Sequence, residues 1–214
     1  RNFCNKLWNA CRFRQMQAGE TESEIDPAQL TSDDRWILRR LDDAISEVTA
    51  GFDAYRFTDA TATLYRFFWS EFCDWYVESC KATFFGDDPV RKANVLAVFD
   101  FVMGHTLRLF HPFLPFITEE LWEQLADDRE TPLIMAPWPS LPDSLIDTAA
   151  HDEMDWVVRL VTHVRALRSE MNVPAKAKIQ LMLRGAGDLA KGCIVTHADQ
   201  IKRLARLSGV ELLN

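Results

Sequence analysis

Large apolar side chains recur at spacings of three and four residues along most of the chain, as in helices that bury one side. The stretch 56–81 has the widest such pattern and contains neither Gly nor Pro. One apolar stripe runs through Leu64 and Phe68, and a second runs beside it through Tyr65 and Trp69. Because two stripes make a face too wide for one contact, the sequence predicts a helix in the middle of a bundle.

The same periodicity predicts five further helices, each bounded by Gly, Pro or polar residues. The second of them begins where Thr31 is followed by Asp33 and Asp34, since acidic residues favour the first turn of a helix. The predicted helices cover residues 2–18, about 32–51, 90–110, 116–126 and 148–171. The fold class is therefore mainly α, an antiparallel helical bundle over residues 1–171.

The pattern changes after Asn172-Val-Pro174. Residues 178–184 alternate between apolar and polar positions and predict a strand, and residues 209–213 predict a second one. The intervening residues 188–208 favour helix in two pieces. Residues 172–214 are therefore predicted to form a small α/β appendage, too short to fold alone, that packs on the bundle.

Composition changes this picture little. Hydrophobic content of 48% and charged content of 26% are ordinary for a globular protein. The sequence shows no signal peptide and no apolar run near the ~20 residues that a membrane span needs. Five cysteines without a C-x-x-C pair indicate reduced thiols in the cytoplasm and no zinc site. A start without Met, inside a helical pattern, suggests a piece of a longer protein.

Charge is distributed unevenly, although the net charge is −8. Residues 1–40 sum to about +1, residues 41–158 to about −15 and residues 159–214 to about +6. The acidic charge is confined to the middle, so both ends are candidates for contact with a polyanion. The alternative is that the asymmetry only reflects solvated surfaces.

Catalytic motifs are not found in the sequence. It has no Gly-rich phosphate loop and no H-E-x-x-H, and its histidines are scattered. Glu71, Asp74 and Glu78 share one side of a helix and are candidate acid/base or metal-bridging carboxylates. Residues of this kind more commonly form a polar seam or pair with cations of a neighbouring helix. The residues therefore indicate a binding or scaffold module.

Two aromatic rings are predicted on basic, outward-facing sides of the first two helices. Phe13 shares its side with Lys6, and Trp36 shares its side with Arg35. Proteins bind single-stranded RNA loops by stacking bases on rings and holding phosphates with Arg or Lys. The alternative is that both rings pack on another helix of the chain. The predicted RNA-contacting residues are Lys6, Asn9, Arg12, Phe13, Arg35, Trp36, Arg39 and Arg40.

Several stretches together resemble the valyl-tRNA synthetase family, and the resemblance covers essentially the whole chain. The segments FCDWY, HPFLPFITEELW and MNVPAK are more specific than similarity to the wider class of synthetases. Longer matching stretches are RNFCNKLWNACRF, DRWILRRL, YRF, FFWSEFCDWYVESCK, LRLFHPFLPFITEELWEQL, IMAPWP and VRALRSEMNVPAKAKI.

This resemblance implies a helical anticodon-binding domain in residues 1–171, followed by the start of a C-terminal α/β region in residues 172–214. It implies tRNA(Val) and the rest of a synthetase chain as partners, a cytoplasmic monomer, and ATP with Mg²⁺ for the full-length enzyme. No cofactor is expected here, because the H-I-G-H and K-M-S-K-S motifs are absent. A coiled-coil arm is expected beyond Asn214. The alternative function is a helical protein-interaction scaffold without RNA binding.

Overall fold

The computed structural model describes residues 2–17, 19, 23–126 and 131–213. By its contacts the chain divides into two compact units, Arg1–Asp147 and Thr148–Asn214. The sequence predicts the boundary later, between residues 171 and 172. The contacts place it earlier because the helix after Asp147 packs on the C-terminal helices.

Among its described residues the first unit has six α-helices, which lie at the five predicted helical segments and confirm a mainly α fold. Residue 18, the predicted end of the first helix, lies outside the described residues. The helices are α1 (Asn2–Gln15), α2 (Ser32–Asp53), α3 (Phe57–Tyr65), α4 (Val77–Phe84), α5 (Pro89–Phe110) and α6 (Pro115–Gln124). Short 3₁₀ turns lie at Pro27–Gln29, Leu133–Met135 and Asp143–Leu145.

The long aromatic helix predicted over residues 56–81 is continuous, but its middle is a π-helix at Arg66–Tyr76. At its end the Val77 N–H donates to the Phe72 carbonyl, five residues back. Phe68 and Phe72 are fully buried, as the pattern predicts. Tyr65, however, is 50% exposed, so the second apolar stripe lies only partly in the core.

Helix α5 has a central position, since it packs against α1, α2, α4 and α6. Within the described residues it is the one helix long and apolar enough, by length and composition, to cross a membrane. Of its most apolar window, 83% is buried inside the protein. This helix is therefore a core helix of the bundle, and its apolar character is used in packing.

A buried carboxylate, Asp34, ties the start of α2 to two other helices. It accepts hydrogen bonds from the Thr31 backbone N–H at 2.9 Å and from the Tyr76 hydroxyl at 2.8 Å. An Arg91 terminal nitrogen lies 2.6 Å from the same carboxylate. Burial, with the nearby charge of Asp34, raises the pKa of Tyr76 well above its ordinary value. The acidic helix start predicted from the sequence is therefore also a core contact.

A buried ion pair joins α1 to α5. Arg14 Nε lies 2.6 Å from Asp100 Oδ1, and an Arg14 terminal nitrogen lies 2.7 Å from Asp100 Oδ2. Both side chains are only 3% exposed. Sequence reasoning missed this pair, because the partners lie 86 residues apart and neither position stands out from its neighbours.

The second unit packs helices against a two-stranded parallel sheet. Pairing is regular from Gln180 with Gly209 to Arg184 with Leu213, after an irregularity at Ile179. The predicted strands and the divided helix between them are confirmed, with β2 starting slightly earlier than expected. The elements are α7 (Thr148–Glu170), β1 (Ile179–Arg184), α8 (Asp188–Thr196), α9 (Ala198–Ala205) and β2 (Leu207–Leu213).

Candidate nucleic-acid interface

Three of the predicted RNA-contacting residues, Lys6, Asn9 and Arg12, lie together on α1. They follow one another at spacings of three, which places them on one side of the helix. Asn9 and Arg12 are exposed and Lys6 is half-buried. Asn9 and Arg12 are therefore open to solvent as the sequence predicts, whereas Lys6 is partly covered.

Lys6 connects this side of α1 to the aromatic helix. Its Nζ lies 2.6 Å from Asp74 Oδ1 and 4.5 Å from the centre of the Trp69 ring. Trp69 in turn stacks on Tyr65, with ring centres 5.4 Å apart and planes 12° apart. Phe3 also lies against this pair, with its ring centre 5.5 Å from that of Tyr65 and 6.4 Å from that of Trp69. Tyr65 is 50% exposed, so its ring is the one that can stack with a nucleic-acid base.

We define the α1 surface as Lys6, Asn9, Arg12, Tyr65 and Trp69. Sequence reasoning placed both rings on a buried stripe and so left them out of the candidate interface. The sequence did contain a signal. Both rings belong to the second apolar stripe of this helix, and the first stripe alone could provide its contact with the core.

Arg12 differs from the other candidate cations in its surroundings. Lys6 and the arginines of α2 each have a carboxylate within 4.0 Å, whereas Arg12 has none among the described residues. An exposed guanidinium without an internal carboxylate partner can pair with a phosphate without first breaking an ion pair. Arg12 is therefore the candidate on this surface best able to hold an RNA phosphate.

Phe13 does not face outward as predicted. It is half-buried, and its ring lies 5.7 Å from that of Phe84 and 6.3 Å from that of Phe99, centre to centre. The reason is that α1 packs on α5, so the side of α1 next to Arg12 already turns toward the bundle. Phe13 belongs to the edge of the core.

The prediction that Trp36 faces outward is also wrong. Its side chain is only 1% exposed and packs edge-to-face on Trp75, with ring centres 6.4 Å apart. Helix α2 contacts α3, the π-helix and α5, so more than one of its sides is covered. A ring in this position cannot stack on a base while the bundle is folded.

The arginines of α2 are half-buried and engaged with acidic partners. Arg35 lies 3.2 Å from Asp147, and Arg39 and Arg40 both pair with Asp43. These ion pairs reduce the positive charge that α2 presents to a polyanion. RNA contact by these residues stays a prediction. For the arginines of α2 the ion pairs are unfavourable to such contact.

Arg40 makes the strongest of these contacts. Its Nε and a terminal nitrogen hold the two oxygens of Glu71 at 3.1 and 2.8 Å. Although partial burial lowers the pKa of Arg40, the hydrogen bond and charge of Glu71, together with the charges of Asp43 and Glu47, leave that pKa raised. This guanidinium is held by the fold rather than presented to a ligand.

The three carboxylates considered for acid/base or metal chemistry have cationic partners. Glu71 pairs with Arg40, Asp74 with Lys6, and Glu78 with Lys81. Among the described residues no group of three or more His, Cys, Asp or Glu side chains is placed to hold a metal ion. Two of these carboxylates thus pair with cations of neighbouring helices, which was the alternative interpretation of the pattern.

Comparison with known proteins places this geometry in context. Residues 34–183 match the family described as the anticodon-binding domain of tRNA ligase. The match begins in α2, covers the rest of the first unit and continues through α7 and most of β1. It therefore spans well over half of the chain.

Curated relatives extend the similarity to the remaining residues, α1 included. The valine–tRNA ligase of Rhizobium meliloti (strain 1021) is 42% identical over 99% of this chain and 22% of its own length. That of Caulobacter vibrioides is 43% identical over 98% of this chain and 24% of its own length. That of Bacillus thuringiensis subsp. konkukian (strain 97-27) is 36% identical over 97% of this chain and 24% of its own length. The chain thus spans less than a quarter of the length of these relatives.

Proposed function

Because the chain belongs to the anticodon-binding domain family of tRNA ligases, we propose that it is the anticodon-binding part of a valine–tRNA ligase. In this proposal it holds the anticodon end of tRNA(Val) while a catalytic domain elsewhere in the protein joins valine to the tRNA. The ligation would use ATP and Mg²⁺ at that domain. The proposed partners are tRNA(Val) and the remaining parts of the ligase, in a cytoplasmic monomer.

The observation that carries the proposal is the family match, supported by the curated relatives over nearly the whole chain. It favours RNA binding over the alternative of a protein-interaction scaffold. The relatives also favour valine over another amino acid. The α1 surface supplies side chains of the kind that RNA binding needs.

Each side chain of the α1 surface has a role that its chemistry suggests. Arg12 would neutralise a backbone phosphate, and Asn9 would donate or accept hydrogen bonds at a base edge. Tyr65, with Trp69 stacked behind it, would stack a base, which contributes ~1–3 kcal/mol per base. Lys6 is already placed over Trp69 and would add a cation beside the stacked base.

The charge of the sequence favours phosphate contacts from α1. Residues 41–158 carry about −15 and repel a polyanion, whereas residues 1–40 sum to about +1. Both cations of the α1 surface, Lys6 and Arg12, come from residues 1–40, so the RNA phosphates would lie beside α1. The same balance predicts weak binding that added salt reduces further.

The experiment is a titration of the 214-residue chain with transcripts of a valine tRNA and of a second tRNA, repeated at several salt concentrations. Arg12→Ala should weaken binding of the valine tRNA and lower the dependence of log K on log salt by about one phosphate contact. Tyr65→Ala should weaken binding by ~1–3 kcal/mol at unchanged salt dependence, because stacking involves no ion release.

Arg56→Ala is the matched control. It also removes one exposed arginine from the first unit, 63% exposed and paired with Asp59, but it lies outside the α1 surface. It should leave binding within twofold of wild type. Equal binding of the two tRNAs by the wild-type chain, or an unchanged affinity in Arg12→Ala, would contradict the proposal.

A further inference from the structure

The second unit contains an open cavity of about 290 Å³ at the place where α7, the end of α9 and the connection before β1 meet. Half of the residues that line it are arginines, and none is acidic. The lining consists of Arg165, Arg168, Ala175, Leu204, Ala205 and Arg206.

Arg168 is the most deeply placed of the three guanidiniums, with the residue 8% exposed. One terminal nitrogen donates to the carbonyls of Pro174 at 3.2 Å and Ala177 at 2.8 Å. The other donates to the Arg206 carbonyl at 3.3 Å. Among the described residues, the contacts of this guanidinium are therefore to neutral carbonyl oxygens, which fix its position without cancelling its charge.

The two outer guanidiniums are held in the same manner. Arg165 Nε donates to the Leu204 carbonyl at 3.0 Å, and an Arg206 terminal nitrogen donates to the Ala175 carbonyl. Both residues are exposed, so their remaining N–H groups can reach a ligand in the cavity. Each side chain is therefore oriented by the backbone before any ligand arrives.

The positive charge at this cavity is not balanced within the described part of the chain. No carboxylate there lies within the 4.0 Å of an ion pair from Arg165, Arg168 or Arg206. The carbonyl end of α9, where the Leu204 carbonyl accepts from Arg165, contributes roughly half a negative charge. Three guanidiniums beside that helix end leave an excess of about two positive charges or more.

The backbone at Arg206 is a second, independent observation. Its φ of 55° and ψ of 55° are left-handed, at the position after a helix where Gly is usual. A non-Gly residue in this conformation is disfavoured, and such residues cluster at binding sites. The chain keeps a long cationic side chain here despite this cost, which is understandable if the side chain binds something.

From these observations we propose that the cavity binds a phosphate group. Arg presents parallel N–H donors that match the oxygens of phosphate, and the excess of about two charges suits a phosphate better than a single carboxylate. The phosphate can come from an RNA backbone or from free phosphate. The site lies wholly in the second unit and does not depend on the function proposed for the α1 surface.

The first test is a calorimetric titration of the 214-residue chain with inorganic phosphate at low chloride concentration. Arg165→Ala should weaken binding about tenfold or more, because a charge-assisted contact is lost. Arg206→Gly should weaken it similarly while leaving the melting temperature unchanged or higher, since Gly suits the left-handed backbone. Arg203 is an exposed arginine of α9 that does not line the cavity. Arg203→Ala removes the same charge and should bind phosphate as the wild type does.

The second test replaces phosphate with a single-stranded RNA oligomer. A tenfold loss of RNA affinity in Arg165→Ala but not in Arg203→Ala identifies an RNA phosphate as the occupant. A loss confined to inorganic phosphate identifies the free anion. If Arg165→Ala and Arg206→Gly bind both ligands as Arg203→Ala does, the proposal is wrong. That outcome leaves the Arg12 experiment on the first unit unaffected.

Discussion

The buried pair of Arg14 and Asp100 provides the sharpest test of how the bundle is held together. Replacing Arg14 with Met keeps much of the aliphatic length but removes the guanidinium. Asp100 would then remain in a site where its side chain is 3% exposed, without the two contacts at 2.6 and 2.7 Å. Breaking one partner of a buried pair costs about 3–5 kcal/mol, because the remaining buried charge loses its closest opposite charge.

The assay is unfolding by heat and by urea, monitored by circular dichroism and tryptophan fluorescence. For a chain of this size each kcal/mol corresponds to a shift of about 2–4 °C in melting temperature, so Arg14→Met should melt roughly 6–20 °C lower. Arg39→Met is the matched control on α2. Its pairs with Asp42 and Asp43 are partly exposed, and surface pairs contribute at most about 1 kcal/mol.

The double variant Arg14→Met with Asp100→Leu separates the cost of burying Asp100 without Arg14 from the contribution of the pair to stability. Leu repeats the branching of Asp at Cγ, and a buried pair replaced by packed apolar residues is often close to neutral. We expect the double variant to recover most of the stability lost in Arg14→Met. A loss below about 1 kcal/mol in Arg14→Met, or a double variant as unstable as the sum of its single changes, would refute the reasoning.

Two further predictions follow from buried side chains. Trp36→Ala should lower the free energy of unfolding by about 3–5 kcal/mol in urea melts, and Trp36→Phe by less, because a buried ring packs on Trp75; loss of tRNA affinity at full stability would contradict its core position. Burial, helped by Cys73, raises the pKa of Cys11 to about 12, and burial raises that of Cys73 to about 12. Thiols of the unfolded chain ionise near pH 8.5, before those of the folded chain. The urea concentration at the unfolding midpoint should therefore decrease as the pH rises from about 9 to 12. Cys11→Ala with Cys73→Ala should flatten that dependence, and an equally steep fall in the double variant would contradict it.

The positions of the helices and strands were predictable from the sequence. Helical periodicity and the Pro and Gly residues between elements depend on local geometry, which neighbouring residues determine. The end of α5 at Phe110 before Pro112, and the parallel strands on either side of a divided helix, are examples. The π-helix was not predictable, because its hydrogen bonds differ from those of an α-helix without any change of apolar pattern.

The residues of the candidate interface were likewise predictable only in part. The exposure of Asn9 and Arg12 on α1 was predictable, since polar residues at spacings of three favour a solvated side of a helix. The roles of Tyr65 and Trp69 were not, because a ring on the border of an apolar stripe can be covered or open depending on the neighbouring helix. The arginine cavity of the second unit was not predictable either, because its guanidiniums come from α7 and the end of α9.

The sequence by itself determined which segments are helices or strands, and its likeness to known anticodon-binding domains determined the family. Only the tertiary structure decided that Trp36 is sealed in the core, that Phe13 turns toward α5 and that Arg14 meets Asp100. The physical reason is that a helix has several sides but its sequence shows only how apolar each one is. How many sides are covered depends on the partners that pack there, and in this protein α2 is covered on more than one.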